Sequence, residues 1–177
     1  MAFQPVYNKR YWLSCDFNPC RGGAASCAGL FMEGSDWTNC WGEVFQIYRA
    51  SGPGTVKVGD VVGVYYPRQP GKWLGCSPSN CALATCPGTP TTTYGFQNSE
   101  KWLRCYGETF KIYARGKSLG SAITAHDAVM LFYIQGQKWV GLDTTYVGHR
   151  TCPGTARPPP PDKCERCWGE VMEVWKR

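Results

Sequence analysis

Short stretches in which apolar and polar residues alternate recur along the chain. The clearest are GEVFQIY (42–48), GETFKIY (107–113) and GEVMEVW (169–175). A period of two is typical of β-strands with one buried face, and no window carries the apolar stripe of an amphipathic helix. The apolar pairs that we expect to face the core are Phe45 and Ile47, Phe110 and Ile112, Met172 and Val174, Val62 and Val64, and Val129 and Leu131.

These stretches belong to an internal repeat. Three segments end alike, and a second shared block precedes each of them. The repeat predicts units of about 60 residues at 1–50, 51–115 and 116–177, within a single domain spanning 1–177. Three independent disulfide-rich modules are the alternative, against which the absence of a linker counts. The matching blocks are NCWGEVFQIYRA (39–50), RCYGETFKIYAR (104–115) and RCWGEVMEVWKR (166–177), preceded by YWLSC (11–15), KWLGC (72–76) and KWVGL (138–142).

Composition narrows the fold class. The 21 glycines and 13 prolines interrupt helices often, and eight Trp, ten Tyr and seven Phe supply large side chains to bury. Three short multi-strand units, none of which can form a core alone, predict a closed all-β structure. The order of the shared blocks, GD-x-V, then GKWL, then GE-x-F-x-I, resembles β-trefoil proteins over the whole chain. The expected fold is therefore all-β, β-trefoil-like and disulfide-rich.

Eleven cysteines favour an oxidising compartment, so we expect a mature secreted chain from which a leader has been removed. The repeat selects among the possible pairings. Cys15 and Cys20 have the same spacing as Cys76 and Cys81, and unit three replaces both members together, with Leu142 and Val147. Two cysteines that form one disulfide are expected to be replaced together in a unit that lacks the bond. The second type of pair occurs in every unit, as Cys27 with Cys40, Cys86 with Cys105, and Cys152 with Cys167.

Cys164 remains without a partner in this scheme, at the place where the other units have Trp37 and Trp102. An odd cysteine in a secreted protein favours an interchain bond, here a homodimer in which Cys164 pairs with itself; a free or differently paired thiol is the alternative. Cys164 and Cys167 form a C-x-x-C pattern, but the chain has only two histidines and no second such pair for zinc.

The sequence carries no clear catalytic constellation. The Gly-x-Ser-x-Gly pattern at 116–120 lies between predicted strands, whereas a nucleophile elbow needs a strand-to-helix turn. Carboxylates that recur with the repeat are expected to be structural, bonding turn amides or a nearby lysine. We therefore predict a protein that is not an enzyme. The recurring carboxylates are Asp60 and Asp127, and Glu43, Glu108 and Glu170.

Charge and hydropathy also exclude some partners. The net charge of +6 is spread along the chain rather than clustered, which argues against a nucleic-acid partner. No apolar run approaches the roughly 20 residues of a membrane span, so membrane insertion is not expected.

Two places depart from the repeat and are candidate sites. Unit one carries Asp16, Asn18, Glu33 and Asp36 in its loops, and hard oxygen ligands of this kind suit calcium. Solvated loop acids are the alternative. Unit three carries Asp143, Tyr146, His149 and Arg150 beside an aromatic face, a combination that suits a sugar. An ordinary surface loop is the alternative there.

The Cys-rich pattern W-x-x-C-W/Y-G-E, present at 37–43 and 102–108, resembles small secreted cnidarian (sea-anemone) lectins that bind galactose with a calcium ion. The resemblance implies a non-catalytic lectin for terminal galactose, with glycans or glycoproteins as partners. No binding residue carries over by motif, because the Gln-Pro-Asp and Glu-Pro-Asn triplets and the ricin-type Gln-x-Trp signature are absent.

Two other functions fit a β-trefoil of this length. A Kunitz-type protease inhibitor could present Arg68 on the loop at 67–72. A heparin-binding growth factor should show a basic cluster, and none is visible along the sequence.

Overall fold

The computed structural model describes residues 1–5, 11–15, 20–24, 44–76, 80–85, 109–142, 147–150 and 172–175. All regular secondary structure in these ranges is β-strand, and all strand pairing is antiparallel, so the predicted all-β class is confirmed. No helix in the described part of the chain could cross a membrane. The strands are β1 (Ala2–Pro5), β2 (Tyr11–Ser14), β3 (Arg21–Ala24), β4 (Gln46–Arg49), β5 (Val61–Tyr65), β6 (Lys72–Cys76), β7 (Cys81–Thr85), β8 (Phe110–Ala114), β9 (Ala128–Tyr133), β10 (Lys138–Leu142), β11 (Val147–Arg150) and β12 (Met172–Trp175).

Six strands pair in a continuous series that returns close to its start. β1 pairs with β12, β12 with β9, β9 with β8, β8 with β5, and β5 with β4. Just before β4, the backbone nitrogen of Phe45 donates a hydrogen bond to the carbonyl oxygen of Met1 at 2.7 Å. This bond brings the beginning of β4 beside the beginning of β1. A sheet that curls back in this way leaves few backbone groups without a partner.

The inward-facing side chains of these strands form the main hydrophobic core. On β8, Phe110, Ile112 and Ala114 are fully buried, whereas Lys111 between them is exposed. The core residues predicted on the other strands also pack in this core, with Ile47 half-buried against it, but on β5 and β9 the residues between them are buried as well. Residues of this core on the remaining strands of the series, or immediately beside them, include Phe3, Phe45, Val62, Val64, Val129, Leu131, Met172 and Val174.

The other six strands form three hairpins, β2 with β3, β6 with β7, and β10 with β11. Leu13, Leu74 and Val140, one from each hairpin, are fully buried and belong to the main core. The backbone nitrogen of Cys20 donates to the carbonyl oxygen of Cys81 at 3.1 Å, so two of the hairpins meet directly. The hairpins therefore contribute to the same core as the six-strand series.

Disulfides close two of these hairpins as predicted. Cys15 is bonded to Cys20 with a Cα–Cα distance of 4.3 Å, and Cys76 to Cys81 with a distance of 4.0 Å. In the third hairpin, Leu142 stands opposite Val147 in the register that Cys76 and Cys81 occupy in the second. The paired replacement inferred from the sequence thus has a direct counterpart in the strand register. The remaining cysteines lie outside the described residues, and they are Cys27, Cys40, Cys86, Cys105, Cys152, Cys164 and Cys167.

Candidate functional site

The sugar site predicted from unit three falls on the β10–β11 hairpin. His149 stands opposite Val140 and Arg150 opposite Trp139 in the backbone register. Asp143 and Tyr146 belong to the segment that joins these strands and lie outside the described residues.

The predicted calcium ligands Asp16, Asn18, Glu33 and Asp36 also lie outside the described residues. Within the described part of the chain, no three His, Cys, Asp or Glu side chains come together as a metal-ligand group. The Cys15–Cys20 disulfide encloses the segment that contains Asp16 and Asn18.

The repeated aspartates have the structural role predicted for them. An Asp127 Oδ2 atom accepts hydrogen bonds from the Thr124 backbone nitrogen and the Lys117 Nζ, both at 2.6 Å. Asp60 accepts from the Lys57 backbone nitrogen at 2.8 Å and forms an ion pair with Arg49 at 2.9 Å. Each carboxylate therefore closes the turn before a core strand. The recurring glutamates Glu43, Glu108 and Glu170 lie outside the described residues.

Asp127 gives a testable pH dependence. Burial by itself would raise the pKa of its carboxyl, but the hydrogen bonds from Lys117 and Thr124 outweigh burial and lower that pKa. A lowered folded-state pKa means that the stabilisation is present above the unfolded pKa, about 3.9, and is lost as the pH falls through the folded value. We expect Asp127→Asn to lower the free energy of unfolding at pH 7 by about 1 kcal/mol.

Urea unfolding of both proteins between pH 7 and pH 2 would measure this effect. The difference between wild type and Asp127→Asn should shrink below about pH 4, because the carboxyl of the unfolded chain takes up a proton there before the folded one does. A difference that stays constant over the whole range would show that the charge of Asp127 does not contribute.

Two further sequence features have clear positions. The Gly-x-Ser-x-Gly pattern at 116–120 lies in the connection from β8 to β9, between two strands as predicted. Arg68 is exposed on the short β5–β6 turn, where the backbone nitrogen of Gln69 donates to the Tyr66 carbonyl at 3.3 Å and that of Lys72 to the Gln69 carbonyl at 3.0 Å. This loop is therefore a tight hairpin turn that is held by its own backbone hydrogen bonds.

An aromatic cluster lies on the outward face beside the β10–β11 hairpin. The Trp139 ring packs edge-on against Phe132 and Tyr113, with centroid distances of 5.0 and 5.7 Å. Phe132 and Trp139 are buried, whereas Tyr113 is half-buried. Tyr113 is therefore the ring of this cluster that a ligand can reach.

Two rings of this cluster, Phe132 and Trp139, belong to a row of residues that stand opposite one another across four strands. Lys111 on β8 stands opposite Phe132, Phe132 opposite Trp139, and Trp139 opposite Arg150 on β11. We call these four positions the charged row, because a cationic residue type stands at each end.

An equivalent row crosses β4 to β7. Gln46 stands opposite Tyr65, Tyr65 opposite Trp73, and Trp73 opposite Ala84. We call these four positions the neutral row. Its rings pack in the same manner, with 4.9 Å between Tyr65 and Trp73 and 5.5 Å between Trp73 and Tyr48. Both rows have aromatic residues at their two central positions, but the residues at their ends differ.

The two rows also differ in how their tyrosines are hydrogen-bonded. The Tyr48 hydroxyl donates to Gln46 Oε1 at 2.8 Å. Lys111 stands at the place of Gln46 and has no acceptor to offer, and among the described residues the Tyr113 hydroxyl has no hydrogen-bond partner. Burial raises the pKa of both phenols, that of Tyr48 with a smaller contribution from Tyr65, so both stay protonated at neutral pH. Tyr113 is consequently a donor that a ligand can use.

Sequence reasoning found one end of the charged row, at Arg150, and missed Lys111 and Tyr113. The signal was present in the period of β8, where Lys111 and Tyr113 alternate with buried residues and the exposed Arg115 follows directly after the strand. A search for basic residues that are adjacent in sequence does not detect cationic residues that alternate with buried residues along a strand. A comparison of the outward-facing strand residues of the three units would have identified Lys111 and Tyr113.

No protein-family model and no curated protein sequence matches the chain. Among solved structures, it is similar to the SDF2-like protein from Arabidopsis thaliana, with a TM-score of 0.57 and 14% sequence identity. The alignment covers 99% of this chain and 93% of that one. At this identity the likeness shows a shared fold over nearly the whole length.

Proposed function

We propose that the protein is a secreted, non-catalytic lectin that binds terminal galactose at the β10–β11 hairpin. The observation that carries the proposal is the position of this hairpin beside an aromatic cluster with an accessible donor. His149 and Arg150 lie on β11, and the short connection that precedes it contains Asp143 and Tyr146. Sugar recognition needs polar groups for the hydroxyls and an aromatic ring for the apolar face of the sugar, and Tyr113 is such a ring.

The fold that we propose for this function is a β-trefoil made of three repeats. In support, residues 1–50, 51–115 and 116–177 each contain four described strands. The middle two strands of each set pair as a hairpin, and the outer strands belong to the six-strand series. A trefoil would offer up to three equivalent loops, of which unit three departs most from the common pattern.

Calcium and dimerisation complete the proposal. The oxygen-bearing side chains Asp16, Asn18, Glu33 and Asp36 have the chemistry that calcium requires, and the first two lie in sequence between the bonded Cys15 and Cys20. A homodimer linked through Cys164 would present two sites together and gain affinity on a glycan-covered surface without new contacts.

A glycan array probed with the oxidised protein, with calcium and again with chelator, tests the function. We expect binding to galactose-terminated glycans, weakened by chelator. The double variant His149→Ala with Arg150→Ala should lose at least tenfold in affinity, about 1.4 kcal/mol, because hydrogen bonds to the sugar are removed. Ser118→Ala, on the exposed β8–β9 connection, is the control and should bind as the wild type does. If the array shows no glycan binding in either condition, the lectin proposal is wrong.

A further inference from the structure

We propose that the charged row and its neighbour Arg115 form a subsite for an anionic sugar, one bearing a carboxylate or sulfate group. The inference rests on the proposed function in placing a sugar at the β10–β11 hairpin. It specifies that the bound sugar carries a negative charge, which the proposed function does not state.

Three hydrogen-bond donors lie at or just beyond β8, with Lys111 and Tyr113 on the strand and Arg115 immediately after its end. Lys111 and Arg115 are exposed, and Tyr113 is half-buried. In the described part of the chain neither cation has an ion-pair partner, and the Tyr113 hydroxyl has no acceptor. An ammonium, a phenol and a guanidinium together supply donors that suit the oxygens of a carboxylate or sulfate.

The acidic side chains nearest these donors, Asp60 and Asp127, are bonded to other cations, Arg49 and Lys117. The residues beside β8 on this face are Val61 on β5, and Ala128, Met130 and Phe132 on β9. A Glu173 Oε1 atom on β12, opposite Ala128, lies 2.9 Å from His126 Nδ1, within hydrogen-bond distance. No carboxylate of the described strands therefore bonds to the cations of the subsite.

The neutral row lacks the two cations at the corresponding positions. There Gln46 replaces Lys111 and accepts a hydrogen bond from the tyrosine, and Ala50 replaces Arg115. The aromatic centre is retained while both cationic positions are lost. The cations are thus not needed to build the strand or its aromatic packing, which favours a role in binding.

The geometry also fits a sugar better than a bare anion. Lys111 lies about 7 Å from Tyr113 along the strand, and Arg115 follows two residues after Tyr113, just beyond the strand end. Both cations have long side chains that can reach a group above the ring. A sugar can lie with its apolar face on Tyr113 while its acidic group bonds to a neighbouring cation.

Binding of the full oxidised protein to heparin, polygalacturonate and neutral galactan tests the proposal. Heparin represents sulfated sugars and polygalacturonate represents uronates. We expect at least one of them to bind, with affinity that falls as salt rises. The double variant Lys111→Gln with Arg115→Ala, which copies the neutral row, should weaken this binding about tenfold.

Lys138→Gln is the control, because Lys138 is exposed but stands opposite the core residue Tyr133 rather than on the charged row. It removes one positive charge from a chain of net charge +6 and should leave binding nearly unchanged. Equal losses in Lys111→Gln and Lys138→Gln would overturn the proposal in favour of general charge attraction. So would binding of single-stranded oligothymidine as tight as that of the anionic glycans.

Two other outcomes separate this inference from the lectin proposal. If galactan binds and neither anionic glycan does, the anionic subsite is wrong while the lectin proposal stands. If none of the three glycans binds, both fail. Circular dichroism of each variant should match the wild type, because the substituted side chains are exposed.

Discussion

Val174→Asp is expected to prevent folding or to lower the free energy of unfolding by about 4 kcal/mol or more. Val174 is fully buried on β12, in register with Phe3 on β1, and its backbone bonds to the turn before β9. A carboxylate at this position would lie in the hydrocarbon core without a partner, which is among the costliest single changes in a protein. Domains of this size are stable by only about 5–15 kcal/mol.

The neighbouring residue supplies the matched control. Glu173 on the same strand bonds to His126 at the surface, so Glu173→Gln should cost less than about 1 kcal/mol. Val174→Ala gives a measurable intermediate if the aspartate variant does not fold, with an expected cost of about 2 kcal/mol from lost burial. Urea unfolding followed by tryptophan fluorescence measures all three. Similar costs for the two positions would contradict the inward and outward assignment of β12.

The same alternation explains how far the sequence predicts this fold. Strand positions and core faces followed from the period of two, because a side chain in a strand has only two faces to choose between. The hairpin disulfides followed from the joint loss of two cysteines in unit three. Both inferences depend on local spacing, which the chain carries directly.

Backbone detail and long-range placement were harder to predict. His126 adopts φ of +66° before β9, where the corresponding turn before β5 has Gly59 with φ of +92°. Nothing in the residue type of His126 indicates a conformation that glycine favours. The charged row could not be predicted either, because Lys111 and Arg150 are far apart in sequence and are placed in one row only by the register of four strands.

Moving the hairpin disulfide from unit two to unit three is the second large effect that we expect. Cys76→Ser with Cys81→Ser should destabilise the protein by about 2 kcal/mol, the loop-closure value for so short a connection. Leu142→Cys with Val147→Cys should form a new disulfide, because these residues stand opposite each other in the register of the native bond. The new bond should recover part of that stability when both pairs of changes are combined.

Mass measurement before and after reduction shows whether the new bond forms, and urea unfolding gives its effect on stability. The native pairs span Cα–Cα distances of 4.0 and 4.3 Å, so the backbone of such hairpins accepts this cross-link. If the two introduced cysteines remain reduced in the oxidised protein, the third hairpin is not equivalent to the second. The third hairpin pairs with Leu142 and Val147 in these positions, so the Cys pair is dispensable for the hairpin itself. Galactose binding measured on this variant then tests whether the proposed site tolerates the cross-link at the end of the hairpin, and we expect weaker binding if the site needs the native Leu142 and Val147 pair.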